Sequence, residues 1–340
     1  METQQRLYYL DNVCGLMIFQ VILGHQVSVC DYHNASVDFI YKILSFFMFW
    51  FFFKGGMMFR DRNVKDVVKV SAKRLLLPYV FFLFVGLVIE AYLQSLSSPV
   101  VICDFFSAKF WQIVNNSVLD SVAPCWFLLS LFVARVVFQI CMKHLIAPSI
   151  IAVVAFIIAY LTYYILINDW NYIFRWGEHV FKLHVLSYIG NMSLGLMCYA
   201  LGYILREKQY SKWILACAAI LFVGKFFVWA DIDFRTNNSF EYNYILALLY
   251  GVAGCVVINN LFRRIANVRI SLLTYIGENS MIYYLVHYPV MFFVTQRFYG
   301  SVFNLSPVVR FVSLSCILVI VLWASGILFR SKKFGFLFGM

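Results

Sequence analysis

Charge is scarce in this chain. Of its 340 residues only 13% are Asp, Glu, Lys or Arg while 63% are hydrophobic, against about 25% and 45–50% in soluble domains. An ordinary soluble domain is thereby excluded. The alternating polarity of membrane β-strands is missing as well, since the apolar runs are long and continuous, which excludes an outer-membrane-type barrel. The nine cysteines include no C-x-x-C pair and no Cys/His cluster at ligand spacing, so neither structural zinc nor thioredoxin-like chemistry is expected, and no metal. Cys103 and Cys125 are the candidates for a disulfide; the other thiols read as small apolar packing groups. A cleavable leader is not expected, because Asp11 interrupts the apolar region it would need. Linkers, low-complexity tracts and internal repeats are lacking too. The chain therefore reads as one integral-membrane domain over residues 1–340.

What is present is a series of helical spans. Crossing a hydrocarbon core of roughly 30 Å takes about 20 apolar residues. Candidate spans fall at about 8–30, 36–59, 75–96, 123–143, 146–167, 184–205, 212–231, 240–262, 272–295 and 307–329. The expected fold is an all-α, polytopic transmembrane bundle of about ten spans. Seventeen of the 27 Lys and Arg fall in the loops of one side, six on the other and four inside spans. By the positive-inside rule both termini are cytoplasmic, in a multi-pass protein of the cell (inner) membrane. The net charge of +11 is thus a topological signal, and nucleic acid is not an expected partner; the lipid bilayer is. The longest polar stretches, about 97–122 and 168–183, lie outside. The second carries Asp169, Trp170, Trp176, Glu178 and His179, which suit either a sugar or an interfacial aromatic belt.

Ionisable groups inside spans cost several kcal/mol on insertion scales and ask for a partner or a task. Asp11, Cys14 and His25 return to nearly one face of the first helix at 100° per residue, and His25 stands about 16 Å beyond Cys14. On the ninth span Glu278 lies near the cytoplasmic end, with His287 nine residues on, at the depth of His25. Lys54 ends the second span beside Gly55 and Gly56, which permit close backbone approach, and the basic run Arg60–Arg74 follows. Cations thus gather on one side, with imidazoles a long reach away in the outer half. That separation fits a donor with an anionic nucleotide at one end and a reactive thioester at the other.

The stretch YYLDNVCGLMIFQVILGHQ resembles the first helix of the acyltransferase-3 family of integral-membrane acyltransferases. FMFWFFFKGGMMF, SAKRLLLPYV, CWFLLSLF and IGENSMIYYLVHYPVMFF resemble further segments of that family, in the family's order. The resemblance implies transfer of an acyl group, acetyl above all, from cytoplasmic acyl-CoA to a hydroxyl of a surface glycan or lipid-linked sugar. It aligns His25 with the family's catalytic histidine, a general base of suitable pKa. Either His287 or Trp126 orients it or donates to the developing oxyanion. The candidate catalytic residues are His25, Asp11 and His287; donor-binding, Lys54, Arg60, Lys73 and Arg74; substrate-binding, Trp126 and Glu278. One departure stands out: where relatives carry Arg or Lys eleven residues before the histidine, this chain has Cys14, and Lys54 is the expected substitute cation. The rival function is a transporter or export component for a polysaccharide or its precursor, for which paired discontinuous helices and pseudo-repeats would be the signature, and neither is evident here.

The topology is directly testable. A cysteine introduced between Arg62 and Lys69, in a background without exposed native thiols, is expected to react with impermeant reagents only after the membrane is opened. Labelling of intact cells would refute a cytoplasmic basic face.

Overall fold

The computed structural model describes residues 7–167, 173–176, 179–182, 185–206, 210–240, 243–265, 268–299, 305–330 and 335–338. Backbone polar groups among hydrocarbon must be satisfied within their own segment, and the apolar runs accordingly form helices. These are α1 (Tyr8–Cys30), α2 (Ala35–Leu44), α3 (Phe47–Met57), α4 (Val64–Ser71), α5 (Leu77–Ser95), α6 (Ile102–Asn116), α7 (Trp126–Lys143), α8 (Pro148–Ile167), α9 (Val185–Leu205), α10 (Lys212–Gly224), α11 (Tyr244–Ile265), α12 (Ser271–Glu278), α13 (Ser280–Val294) and α14 (Pro307–Phe329). Two small antiparallel hairpins interrupt them: β1 (Ile173–Trp176) with β2 (His179–Lys182), and β3 (Asp231–Asp233) with β4 (Asn238–Phe240). Local chemistry sets several boundaries. The Asn34 side chain accepts the Val37 amide at 2.9 Å to start α2, and Pro307, which has no N–H to waste, opens α14.

Among the described residues, eight helical stretches are long and apolar enough to cross a membrane. The other two expected spans differ from the simple reading. The seventh is the 13-residue α10. The ninth breaks at Asn279, whose side chain donates back to the Tyr275 carbonyl at 2.8 Å and competes with the helical ladder. The second span also breaks, at Ser45 and Phe46 between α2 and α3. Discontinuous helices are therefore present, contrary to the sequence reading, because one small polar residue in an apolar run leaves its hydrophobic periodicity intact. The 97–122 stretch is likewise more ordered than a loop, holding α6. The 168–183 stretch lies partly outside the described residues. Cys103 is exposed, Cys125 is buried, and both thiols are free, so the candidate disulfide is absent.

Helix α1 is the centre of the bundle, packing against α2, α3, α11, α12, α13 and α14. Its approach to α12 is backbone on backbone: a Cβ on Gly15 would stand 2.2 Å from the Leu273 carbonyl oxygen, and one on Gly277 would stand 2.0 Å from that of Asp11. The adjacent Asn12 accepts the Thr274 hydroxyl at 2.7 Å, locking the register. The anticipated close approach at Gly55 and Gly56 is realised against α9, where a Gly56 Cβ would lie 1.8 Å from the Tyr199 carbonyl oxygen. The loop cations expected on one side do converge. Arg263 donates to Tyr9 Oη at 3.1 Å and to the Arg206 carbonyl at 2.7 Å, and Arg206 donates to the Phe59 carbonyl at 3.0 Å.

A methyl at these crossings has nowhere to go without moving backbone. Gly277→Ala and Gly56→Ala are each expected to destabilise the protein by about 1–3 kcal/mol, read as a lowered Tm of the detergent-purified chain. Gly224→Ala, whose Cβ would meet nothing closer than 3.7 Å, is the control and is expected to leave Tm unchanged.

Candidate functional site

His25 projects from the C-terminal part of α1 into a cavity of about 340 Å³ lined also by Tyr41, Ser45, Trp126, Asp231, Arg235 and Tyr288. Its ring stacks on that of His287, with centroids 5.4 Å apart and 29° between planes, and meets Tyr288 edge-on at 5.0 Å. The two imidazoles anticipated at one depth are indeed together. His287 is fully buried, and its Nδ1 faces the Tyr283 carbonyl at 2.9 Å. That carbonyl accepts only, so the His287 hydrogen is on Nδ1 and its Nε2 is an acceptor.

Two segments that close the cavity are pinned from behind. The first is the β3–β4 hairpin. The Asn191 side chain of α9 donates to the Arg235 carbonyl at 3.0 Å, while Asn237 donates to the Ala159 carbonyl at 2.8 Å and accepts from Tyr244 Oη at 2.7 Å. The second is the short 3-10 segment Asp120–Cys125, kinked at Val122, whose Ala123 and Pro124 line the cavity. Tyr284 Oη donates to the Pro124 carbonyl at 2.5 Å, and Glu90, from the middle of α5, accepts the Ser121 amide at 2.9 Å and hydroxyl at 2.8 Å. Lys109 of α6 completes that clamp, 2.6 Å from Glu90 Oε2.

Two further cavities follow, each sharing lining residues with the one before it. An apolar one of about 240 Å³ is lined by Cys14, Ile18, Phe51, Lys54, Phe127 and Ser280 among others, and shares Tyr284 with the His25 cavity. A basic one of about 500 Å³ at the cation-rich end shares Gly55, Met58, Leu131 and Met281 with the apolar one. Arg60, Arg62, Arg74 and Arg135 line it. The loop carrying Arg60 and Arg62 is held by Asp61, which accepts from Gln139 at 2.7 Å and from Lys143 at 3.2 Å. Those hydrogen bonds hold the Asp61 carboxyl below its ordinary range, so the clasp is present at neutral pH and is lost only as pH falls through that lowered value.

The sequence candidates therefore divide. His25 and Trp126 share the first cavity, with His287 against His25; Cys14 and Lys54 share the apolar one; Arg60 and Arg74 share the basic one. Lys73 does not join its neighbour. A π turn over Ala72–Leu76 sets the local register, and Lys73 is exposed outside the cavity lining. Asp11 stands about 21 Å from His25 along α1, fourteen residues at about 1.5 Å each, and its carbonyl serves the Gly277 crossing. Glu278 pairs with Arg330 at 3.3 Å and lines none of the three cavities. Arg135 and Glu90 were missed as site residues, although each announces itself as an ionisable group within an apolar run. Asp231 and Arg235 carried no such signal, because only the hairpin brings them to His25. Among the described residues no group of His, Cys, Asp or Glu is arranged to hold a metal ion.

Comparison with known proteins gives one finding. The family model Acyl_transf_3, described as an acyltransferase domain, matches residues 7–329. Searches of curated proteins and of solved structures return no match.

The Glu90 clamp predicts a graded response. Glu90→Ala strands a half-buried Lys109 and releases Ser121, and is expected to cost about 3 kcal/mol or more. Glu90→Gln keeps an acceptor for Ser121 and is expected to lose less; thermal unfolding of the two variants checks the order.

Proposed function

We propose that this chain, which belongs to the acyltransferase-3 family, is a membrane O-acyltransferase that moves an acyl group, acetyl above all, from cytoplasmic acyl-CoA to a hydroxyl of an extracytoplasmic glycan. The observation that carries the reading is the run of adjoining cavities with arginines at one end and His25 at the other. The positive-inside rule assigns the arginine end to the cytoplasm. There Arg60, Arg62, Arg74 and Arg135 bind the phosphates of the donor, planar guanidiniums being well matched to them. The pantetheine arm follows the apolar cavity past Lys54 and Cys14. With no cation at position 14, Lys54 on the facing helix supplies one in the same cavity. The thioester reaches His25, and the acceptor sugar enters the outer cavity, where Trp126 offers an aromatic face and Asp231 a carboxylate.

Chemically, neutral His25 takes the proton of the acceptor hydroxyl as its oxygen attacks the thioester carbonyl. The tetrahedral intermediate collapses, the carbon–sulfur bond breaks, and the thiolate of coenzyme A takes the proton back from His25. His287, with its one N–H committed to the Tyr283 carbonyl, has no second hydrogen for the oxyanion. It orients His25 through the ring stack. The oxyanion donor is then Trp126 Nε1, from the wall of the same cavity. The acyl group and the sugar are read from the glycan itself, by mass spectrometry of cells with and without the protein.

A second reading, export of a polysaccharide precursor, draws on the two broken helices, whose ends line the cavities at Ser45 and Ser280. His25→Gln separates the two. Under acyl transfer it is expected to lose about 10²- to 10⁴-fold in rate while its Tm and acyl-CoA binding stay parental. Near-parental acylation by this variant would overturn the mechanism.

The donor end has its own test. Arg135→Gln is expected to weaken acyl-CoA binding about tenfold or more, the scale of one lost charged hydrogen bond, whereas Lys73→Gln is expected to bind like the parent. Equal effects in a calorimetric titration would place the phosphates elsewhere.

A further inference from the structure

Lys225, one residue beyond the end of α10, is only 1% exposed. Its ammonium donates to the Ile43 carbonyl at 2.7 Å and lies over the rings of Phe222 at 4.3 Å, Phe46 at 5.4 Å and Phe226 at 5.7 Å. Enclosing a compact, strongly hydrated ammonium is expensive, and an aromatic cage returns only part of that cost. The carbonyl it meets explains the placement. Ile43 is the penultimate residue of α2, which ends at Leu44. The last carbonyls of a helix lack intrahelical donors and carry the negative end of its dipole, so a cation is the group such an end needs among apolar neighbours. Directly past the break, Ser45, Phe47 and Met48 line the cavity that holds His25. The chain running on from Lys225 supplies Asp231, Asp233 and Arg235 to the same cavity.

We propose that Lys225 is a positioning residue for the outer cavity: it caps the broken end of α2, and so holds in place the wall that Ser45, Phe47 and Met48 form. Calling the cavity an acceptor site rests on the function proposed above; the positioning role does not. A lysine that merely stabilised the bundle would, on removal, loosen both ends of the molecule alike. A positioning lysine disturbs the cavity at the break and leaves the basic end as it was.

The full-length chain, purified in detergent with Cys103, Cys141, Cys217 and Cys316 replaced by Ser, carries either Ser45→Cys in the outer cavity or Met58→Cys in the basic one. The rate of modification by a small charged methanethiosulfonate reagent is measured for each. Lys225→Met is expected to change the Ser45→Cys rate about tenfold or more, in line with loss of a hydrogen bond from a charged group, and the distant Met58→Cys rate by less than about twofold. Lys225→Arg, which still reaches a carbonyl, is expected to restore most of the parental Ser45→Cys rate. Where Lys225→Met is recovered only as aggregate, Lys225→Gln replaces it; its amide is one bond too short for the Ile43 carbonyl, and the expectation is the same. A parental Ser45→Cys rate, or equal changes at both reporters, overturns the proposal. Because no transfer assay enters, a parent protein that failed to acylate any glycan would unseat the functional reading and leave this result standing.

Discussion

A polar group among hydrocarbon has to find its partner inside the protein, and most of this structure follows from that constraint. The polar side chains buried in the bundle act as bolts between helices distant in sequence. Gln26 of α1 donates to the Phe311 carbonyl and the Ser315 hydroxyl of α14 at 2.7 and 2.6 Å, and Trp50 of α3 donates to Asn259 of α11 at 2.9 Å. Glu90 binds a turn 31 residues on. None of these bonds is strong by itself, since water is replaced and not simply removed, but leaving any half unmade costs the full desolvation of the other half. Fold specificity in so apolar a chain therefore comes from a few polar pairs, while the glycine crossings of α1 with α12 and of α3 with α9 supply close packing that lipid cannot imitate.

The same constraint explains why the cavities lie where they do. Irregular backbone at membrane depth is tolerated only when protein buries it or a cavity receives it. Both helix breaks comply: Ser45 opens onto the His25 cavity and Ser280 onto the apolar one. A broken helix thus does two jobs here, freeing backbone groups and making room for a ligand beside them. Lys225 at Ile43 and Asn279 at Tyr275 show how the freed carbonyls are answered.

Much of this was legible in the residues. The spans, the grouping of loop cations at one end, the meeting of His25 with His287 and the approach permitted by Gly55 and Gly56 all follow from periodicity, depth and side-chain size, which are local quantities. Three things were not local. The breaks at Ser45 and Asn279 change backbone hydrogen bonding without changing hydrophobic pattern. Lys73 and Arg74 are adjacent in a basic run, and only the π turn between α4 and α5 decides which of them faces the cavity. Asp231 reaches His25 through a hairpin whose anchor, Asn237, is held by Ala159, Thr162 and Tyr244.

Cys14 and Lys54 line the same apolar cavity, yet they differ in what a charge would cost there. Cys14 is 1% exposed in α1. A cation there would need a counter-charge at hand, or it would carry a desolvation penalty that packing could not offset. Lys54 lies at the end of α3, half-buried, with its ammonium 5.4 Å over the Trp50 ring, and its long stem lets it line the apolar cavity without full burial of the charge. A charge is therefore less costly at Lys54 than it would be at position 14. On the function proposed above, the donor's phosphates meet at Lys54 a cation that has not first been fully desolvated.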